Sequence, residues 1–510
     1  MVYDVLNEPW IPVVTPAGEI RNVGIREALS EAEDLSAIRG ENPLVTYGIQ
    51  RLLIAILQDA LRPEDKYTLF DIISAGQFDQ EKLEEYYSTC REEGECFDLM
   101  DENRPFLQTA FPVEEQIGPA PITALFHQWP SGNNHVFFNH QMESEMSATP
   151  DECLRALSTL SAFQLSYGRS KHCSINGTPP KYFLYAGHNL FETLACSMVS
   201  NSQIGNLSYD SPPPVWRDKT LVHDKQVPPS VSLLHGLTAR PLRVQLCQVE
   251  DGAIKKVKLA YGYIYKDVRN WIDPHVAFNN SRNGERLPLL SREGRAVWRD
   301  MGTILRRDCR PMILQHAEEM LECLPGNRTK MDSRVFSLLS VQKTAMLMPV
   351  AWEEEDLTLH KSLLSEPEQI DFLQNCLECM EKINFLLRTV MGKSTEQLQD
   401  KGSGKRDAKG AYRFLTAQVQ TAFLSEVRQY LIGVFVPFVE AQAAQQKDWD
   451  IACREEWGRQ IHLYSIDAYQ QTLSRMAQTA ALLKWRALAG NLLNVSVTNT
   501  LKKGGYIKND

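Results

Sequence analysis

Residues 369–391 read QIDFLQNCLECMEKINFLLRTVM. Ile370, Leu373, Leu377, Met380, Ile383, Leu387 and Val390 recur at a period near 3.5, which lays one apolar stripe along a helix for another helix to cover. Similar stripes run through Tyr412–Phe438 and Ala468–Leu493. Four antiparallel helices with short connections are the economical way to bury them. From about Ser365 the chain therefore reads as almost uninterrupted helix. A boundary is expected near 360–366, between a domain over 1–362 and a helical domain over 363–510. Cys376 and Cys379 form a C-x-x-C inside the stripe, but no second pair follows to complete a zinc site. They read as buried or half-buried thiols.

Upstream the pattern is mixed. Residues 2–14, VYDVLNEPWIPVV, alternate around Pro9 and Pro12 and precede the turn PAGE, so a hairpin is expected with its prolines confined to an edge. Gly24–Leu35 and Asn42–Leu61 show amphipathic helical spacing, and 81–95 an acidic helical stretch. Beyond 150, helical runs at DECLRALSTLSAF and NLFETLACSMV alternate with the strands RPLRVQLCQVE and IKKVKLAYGYIYKD, which turn at Glu250–Ala253. SYDSPPPVWRDKT and AFNNSRNGERLPLLSREG read as long loops. The expected class is α+β: a large mixed α/β N-terminal domain followed by an all-α C-terminal four-helix bundle.

At 510 residues the chain exceeds one ordinary core. Hydrophobic content of 43% and charged content of 23% are those of a globular protein. A formal net charge of −10 argues against coating nucleic acid by charge alone, while leaving room for local basic patches. The N-terminus MVYDVLNEPW lacks a basic region followed by an apolar run. No apolar stretch is read as reaching the roughly 18 residues of a membrane span, since VTYGIQRLLIAIL holds Arg51 and stops at Gln58. Eleven scattered cysteines fit a reducing compartment. A cytoplasmic protein without membrane contact is expected.

Phosphate-loop, zinc-protease and nucleophile-elbow motifs are missing from the sequence. His127, His135, His140, His172 and His188 crowd one region without ligand spacing. A metal-dependent hydrolase is therefore the weaker reading, a scaffold that binds only proteins a third, and no cofactor or metal is expected. Four segments carry interaction chemistry. Residues 130–140, PSGNNHVFFNH, join turn chemistry to bare amides and aromatics, which suits either a hairpin tip over the core or a loop that stacks on nucleic acid. Residues 166–179, SYGRSKHCSINGTP, hold Gly168 beside Arg169 and Lys171, either a solvated connector or a loop that brings backbone and cations to phosphates. Leu338–Pro349 suggests a hairpin with Gln342, Lys343 and Thr344 at its tip. Lys401, Lys405, Arg406, Lys409 and Arg413 oppose only Asp407 at a glycine-rich turn into a helix, enough charge to neutralise a few phosphates.

The stretches NEPWIPV, ENPLVTYGIQRLLIAIL, RPFLQT, PSGNNHVFFNH, AFQLSYGRS, NLFETL, LLHGLTARPLRVQL, WIDPHVAF and PLLSREGRAVWRDMGTIL follow one another in this order. In that order the chain resembles the large subunit (CasA) family of the type I-E CRISPR surveillance complex, Cascade, over nearly its whole length. The resemblance implies a DNA-recognition subunit rather than a nuclease. Its partners would be the backbone, small and guide-handle-binding subunits, the crRNA, double-stranded target DNA and the CRISPR helicase-nuclease. Such a subunit reads the protospacer-adjacent motif in duplex DNA, helps start unwinding and R-loop formation, and docks the nuclease, while base pairing reads the sequence. By the same resemblance, Asn133, Asn134, Phe137, Phe138 and Asn139 meet the guide handle and a neighbouring subunit. Tyr167, Gly168, Arg169 and Lys171 face the motif's minor groove, Gly168 alone keeping the family's glycine. A wedge hairpin maps to Gln342, Lys343, Thr344, Ala345 and Met346. A minor-groove lysine is expected on the strand pair near 256–266; Gly262 stands at the aligned position, leaving Lys258 or Lys266. Lys401, Lys405, Arg406, Lys409 and Arg413 are assigned to DNA backbone.

Overall fold

A computed structural model describes residues 2–92, 94, 97–129, 146–165, 174–220, 222, 226–247, 249–265, 268, 271–281, 285–292, 295–323, 333–343, 349–360, 363, 366–397, 405–475 and 480–508. The chain divides into two compact units, Met1–Val297 with Arg307–Leu357, and Trp298–Arg306 with Thr358–Asp510.

The first unit is mixed α/β. Near its N-terminus, β1 (Ile11–Val14), β2 (Ile20–Val23) and β3 (Ala37–Ile38) form a sheet in the order β2-β1-β3. β1 is thus the middle strand, which corrects the expectation that the prolines lie on an edge. β3 is only two residues long and pairs Val13 and Val14, so Pro12 escapes the ladder on that side. Only its carbonyl is used there, accepting from the Arg39 N–H at 2.9 Å.

The core is organised by the helix Pro43–Leu61. Asn42 caps it by accepting from the Val45 N–H, Pro43 opens it, and Arg62 ends it at φ +44. Fourteen of its 19 residues are buried, which is why it is apolar nearly all round. It packs on the helix Pro150–Phe163, opened by a Thr149/Glu152 capping box. Among the described residues two helices do satisfy the length and hydropathy of a membrane span, Pro43–Leu61 and the run Phe414–Gln445, contrary to the sequence reading. The first is mostly buried inside the protein, as core helices are.

Further strands complete the unit: β4 (Pro119–Pro121), β5 (Tyr182–Tyr185), β6 (Leu242–Leu246), β7 (Lys256–Tyr261), β8 (Phe278–Asn280), β9 (Arg286–Pro288), β10 (Ser333–Lys343) and β11 (Pro349–His360). They build sheets in the orders β4-β7-β6 and β11-β10-β5, and the pair β8-β9. The β6–β7 turn falls as expected, with Asp251 at φ +52 and Gly252 at φ +80 between the paired Glu250 and Ala253. The segment read as the loop AFNNSRNGERLPLLSREG contains the β8–β9 hairpin, whose few residues lack a clear alternation. Two expected helices are shorter than their periodicity, Ile25–Ser30 and Leu190–Ala195, because turns follow each.

The second unit is all-helical. Pro367–Gln397, Lys405–Tyr430 continuing through Val436–Gln445, Trp449–Ser474 and Ala480–Lys503 form a four-helix bundle. The quoted stripe faces inward: Ile370, Leu373, Leu377, Met380, Ile383, Leu387 and Val390 are all buried. A π-helical turn, Leu431–Phe435, lets the second helix pass Pro437, whose ring would otherwise strike the carbonyl of residue 433. Trp298–Arg306 joins this unit from far upstream, with Arg299 paired to Glu381 at 2.8 Å.

Candidate nucleic-acid interface

Tyr167, Gly168, Arg169 and Lys171 lie outside the described residues, while the frame that carries their loop is described on both sides. The helix Pro150–Phe163 leads into it. The Ser174 N–H donates to the Gln164 carbonyl at 2.7 Å, which closes the intervening chain into a loop with adjacent ends. On the entry side Phe163 packs edge-on to Tyr182, whose hydroxyl donates to the Ala162 carbonyl at 2.9 Å. On the exit side Asn176 uses its whole amide. Its Nδ2 donates to Asp273 Oδ2 at 2.8 Å and to the Tyr182 hydroxyl at 3.2 Å, and its Oδ1 accepts from Trp271 Nε1 at 2.9 Å.

Beneath this sits an ion pair removed from water: Arg51 is 1% and Asp273 0% exposed. Their guanidinium and carboxylate meet twice, at 2.8 and 3.2 Å, and Arg51 Nε donates to the Leu237 carbonyl at 3.1 Å. Burial pushes the Asp273 carboxyl up, but the Arg51 charge outweighs it and holds the group below its ordinary value. His275 completes the cluster. Burial pulls it down to about 4, so it is neutral at pH 7. Its Nε2 lies 2.9 Å from the Ser197 carbonyl, which requires the proton there and leaves Nδ1 to accept from Arg51 at 3.3 Å.

The hairpin expected near Leu338–Pro349 is carried by longer strands, and Gln342 and Lys343, read from sequence as its tip, lie in β10 instead. β10 and β11 are neighbours in one sheet joined by five residues, 344–348, too few for any but an antiparallel turn. Gln342 and Lys343 end β10; Thr344, Ala345 and Met346 lie outside the described residues. β10 runs antiparallel to β5, with Leu339 opposite Tyr182. Four more residues carry β10 to Lys343, about 13 Å beyond that pair at ~3.3 Å per residue. Tyr182 starts β5, and the chain reaches it from Ser174 and Asn176. The hairpin's tip end and the base of the 166–173 loop therefore share one end of β5.

Asn133, Asn134, Phe137, Phe138 and Asn139 lie outside the described residues. The chain approaches their loop along β4, which pairs Pro119 with Lys258 and Pro121 with Lys256, and then through Phe126 and Trp129, stacked at 4.0 Å. It leaves through Ala148, bridged to Ile254. Both ends thus hang on the turn end of the β6–β7 hairpin. The 14-residue helix Pro150–Phe163, about 21 Å long, separates this base from that of the 166–173 loop.

Lys258 is half-buried on β7 between Pro119 and Gln245, and Lys266 lies outside the described residues. Gly262 follows β7 so closely under Arg240 that a Cβ would fall 2.3 Å from the Arg240 carbonyl oxygen. No lysine fits that position, which explains the glycine aligned there. In the helical unit Lys405, Arg406, Lys409 and Arg413 fall within the helix Lys405–Tyr430, spaced at i, i+1, i+4 and i+8. Lys401 lies outside the described residues.

The histidine-rich region does not assemble among the described residues. His127 is half-buried and desolvation pushes it down to about 4, His188 is exposed, and His135, His140 and His172 lie outside them. Among the described residues no group of three or more His, Cys, Asp or Glu could hold a metal. Cys376 and Cys379 are buried in the bundle, where burial pushes both thiols up, Cys379 to about 12. The cluster of buried Arg51, Trp271 and Asp273 with half-buried Asn176 was not singled out from sequence. Its available signal was an arginine inside an apolar helix, a charge that must find a buried partner.

The family described as CRISPR-associated protein Cse1 matches residues 4–468. A CRISPR-associated protein CasA/Cse1 from Thermus thermophilus is 29% identical over 437 residues, covering 79% of this chain and 80% of that protein. A crystal structure of CasA from Thermus thermophilus superposes with a TM-score of 0.76 at 22% identity, covering 98% of this chain and 100% of that one. A chain of a structure described as a CRISPR RNA-guided surveillance complex superposes at 0.72 with 16% identity, covering 98% and 99%.

Proposed function

The chain belongs to the CRISPR-associated protein Cse1 family, and on that premise we propose that it is the DNA-recognition subunit of an RNA-guided surveillance complex. In this reading it tests duplex DNA for a short flanking motif, starts strand opening and presents the complex to a helicase-nuclease. The other subunits and the crRNA hold and read the target by base pairing. The observation that carries the reading is the common end of β5. A loop meant to enter a groove and a hairpin meant to part the strands must act on adjacent base pairs, and both depart from that end.

Gly168 brings backbone to the minor groove, where base edges differ little and close approach matters more than long side chains. Arg169 and Lys171 meet flanking phosphates, Tyr167 the groove wall. Gln342, Lys343, Thr344, Ala345 and Met346 form the wedge. Asn133, Asn134, Phe137, Phe138 and Asn139 meet the guide handle, and Lys258 or Lys266 supplies a groove lysine. Lys401, Lys405, Arg406, Lys409 and Arg413 meet DNA phosphates. The net charge of −10 is compatible because the remaining phosphates are neutralised by other subunits.

The test is a reconstituted complex with and without this chain, offered duplexes with randomised flanking bases. Motif-dependent duplex binding should require the chain, while pairing with single-stranded target should not. Gly168→Asp should abolish motif-dependent binding in an assembled complex. Duplex binding that survives removal of the chain unchanged overturns the proposal.

A further inference from the structure

We infer that Asn176 is a positioning residue for motif recognition, transmitting the placement of the buried Arg51–Asp273 pair to the 166–173 loop. The inference rests on the function proposed above and deepens it. Asn176 lies three residues beyond that loop and two beyond Ser174, whose N–H closes it onto Gln164. Three side chains converge on its amide. Asp273 and Tyr182 accept or share its Nδ2 protons at 2.8 and 3.2 Å, and Trp271 donates to its Oδ1 at 2.9 Å. Each of these is itself fixed. Asp273 is held by Arg51 and by the His275 N–H at 3.0 Å. Trp271 packs so closely on Gly236 that a Cβ there would fall 2.1 Å from the ring. Tyr182 is wedged among Phe163, Tyr47 and the Arg51 guanidinium, 5.4, 4.8 and 5.6 Å away between ring centroids or from ring to cation.

An ion pair is a poor choice if stability alone is required, because apolar residues of the same volume often stabilise a core more. What a bidentate pair supplies is direction. The Asp273 carboxylate has one orientation, set by Arg51, and it points an oxygen at Asn176. A site that must place backbone in a groove tolerates errors well below an ångström, and such placement comes from residues whose own rotamers are locked by hydrogen bonds behind them. Asn176 is where that locking reaches the loop. It makes no contact with DNA in this account; it acts through the loop's base.

The experiment uses the reconstituted complex carrying Asn176→Ala, which removes the amide but keeps the Arg51–Asp273 pair. The readout is the ratio of affinities for motif-bearing and motif-free duplex, beside affinity for single-stranded target and the melting temperature. The expected result is a ratio at least tenfold lower, with single-strand affinity within twofold of the parent and assembly intact. Trp271→Phe is the second variant: it deletes the indole donor to Asn176 while keeping an aromatic ring at 271, and should lower the ratio about threefold even if Asn176→Ala does not assemble. A parental ratio in an assembled Asn176→Ala complex, or in Trp271→Phe, overturns the inference. So does equal weakening of duplex and single-strand binding, the mark of a merely structural residue. If Gly168→Asp also leaves the ratio at the parental value, the function proposal has failed; if Gly168→Asp abolishes it and Asn176→Ala does not, only this inference has.

Discussion

At the scale of single residues, the backbone decides Gly262 and burial decides His127. Any side chain at 262 meets the Arg240 carbonyl oxygen at 2.3 Å, and a backbone atom cannot swing aside as a side chain can. Gly262→Ala should therefore destabilise the chain by about 1–3 kcal/mol, read as a lower denaturation midpoint at unchanged slope. A midpoint at the parental value would show that the strand end relaxes freely. His127 is half-buried, and its buried Nε2 finds no hydrogen-bond partner among the described residues. Burial lowers its folded pKa to about 4, against about 6.5 in the unfolded chain. Above pH 6.5 both states are neutral there. As pH falls below 6.5, the unfolded chain binds a proton that the folded chain refuses, so stability is lost down to about pH 4. That loss approaches roughly 3 kcal/mol, at about 1.36 kcal/mol per pKa unit. His127→Phe should keep stability at pH 7 within about 1 kcal/mol and flatten its fall between pH 6.5 and 4. Denaturant titrations at pH 5 and 7 check this, and an unchanged difference between them would count against a neutral desolvated histidine.

At the scale of elements, Lys405, Arg406, Lys409 and Arg413 fall in the helix Lys405–Tyr430 with Asp407 as the acid among them, at i, i+1, i+4 and i+8 in sequence. Phosphate contacts orient a protein on DNA without reading bases. Replacing Lys405, Arg406 and Lys409 together by Ala should weaken duplex binding evenly across flanking sequences. It should lower the salt slope by up to about three units. A shifted motif preference in the binding titration would instead make this helix a reading element. Element identity was legible where periodicity was long. The stripe from Ile370 to Val390 and the capped helix Pro43–Leu61 both form as read, because burial of a continuous face needs little help from context. Short elements were not legible. β8 and β9 hide in a segment of turn residues, and the Leu190–Ala195 helix stops well before its apolar pattern does. Elements of three to six residues are held by what packs on them, not by their own pattern.

At the scale of the whole molecule, charge predicts weak binding by the chain alone. With a net charge of −10, the isolated chain should bind duplex no more tightly than about 10⁻⁶ M at physiological salt, the range of non-specific binders. Titration of a labelled duplex measures it, and a much tighter constant would place the phosphate-neutralising surface on this chain rather than in its complex. The sequence by itself determined the fold class, the helical C-terminal unit and membership of the Cse1 family, since hydropathy period and ordered motifs are properties of the string. It also marked the loops and the hairpin. Which of them meet was decided only by tertiary structure. Strand register brings the hairpin end and the 166–173 loop base to one end of β5, and the helix Pro150–Phe163, about 21 Å long, separates the residues that flank 130–145 from that base. Trp298–Arg306 packs with helices that begin some 60 residues later, and Arg51 finds Asp273 across 222 residues. Such pairings depend on the geometry of the closed core. Periodicity says which face of an element is buried, but only packing selects what lies against it.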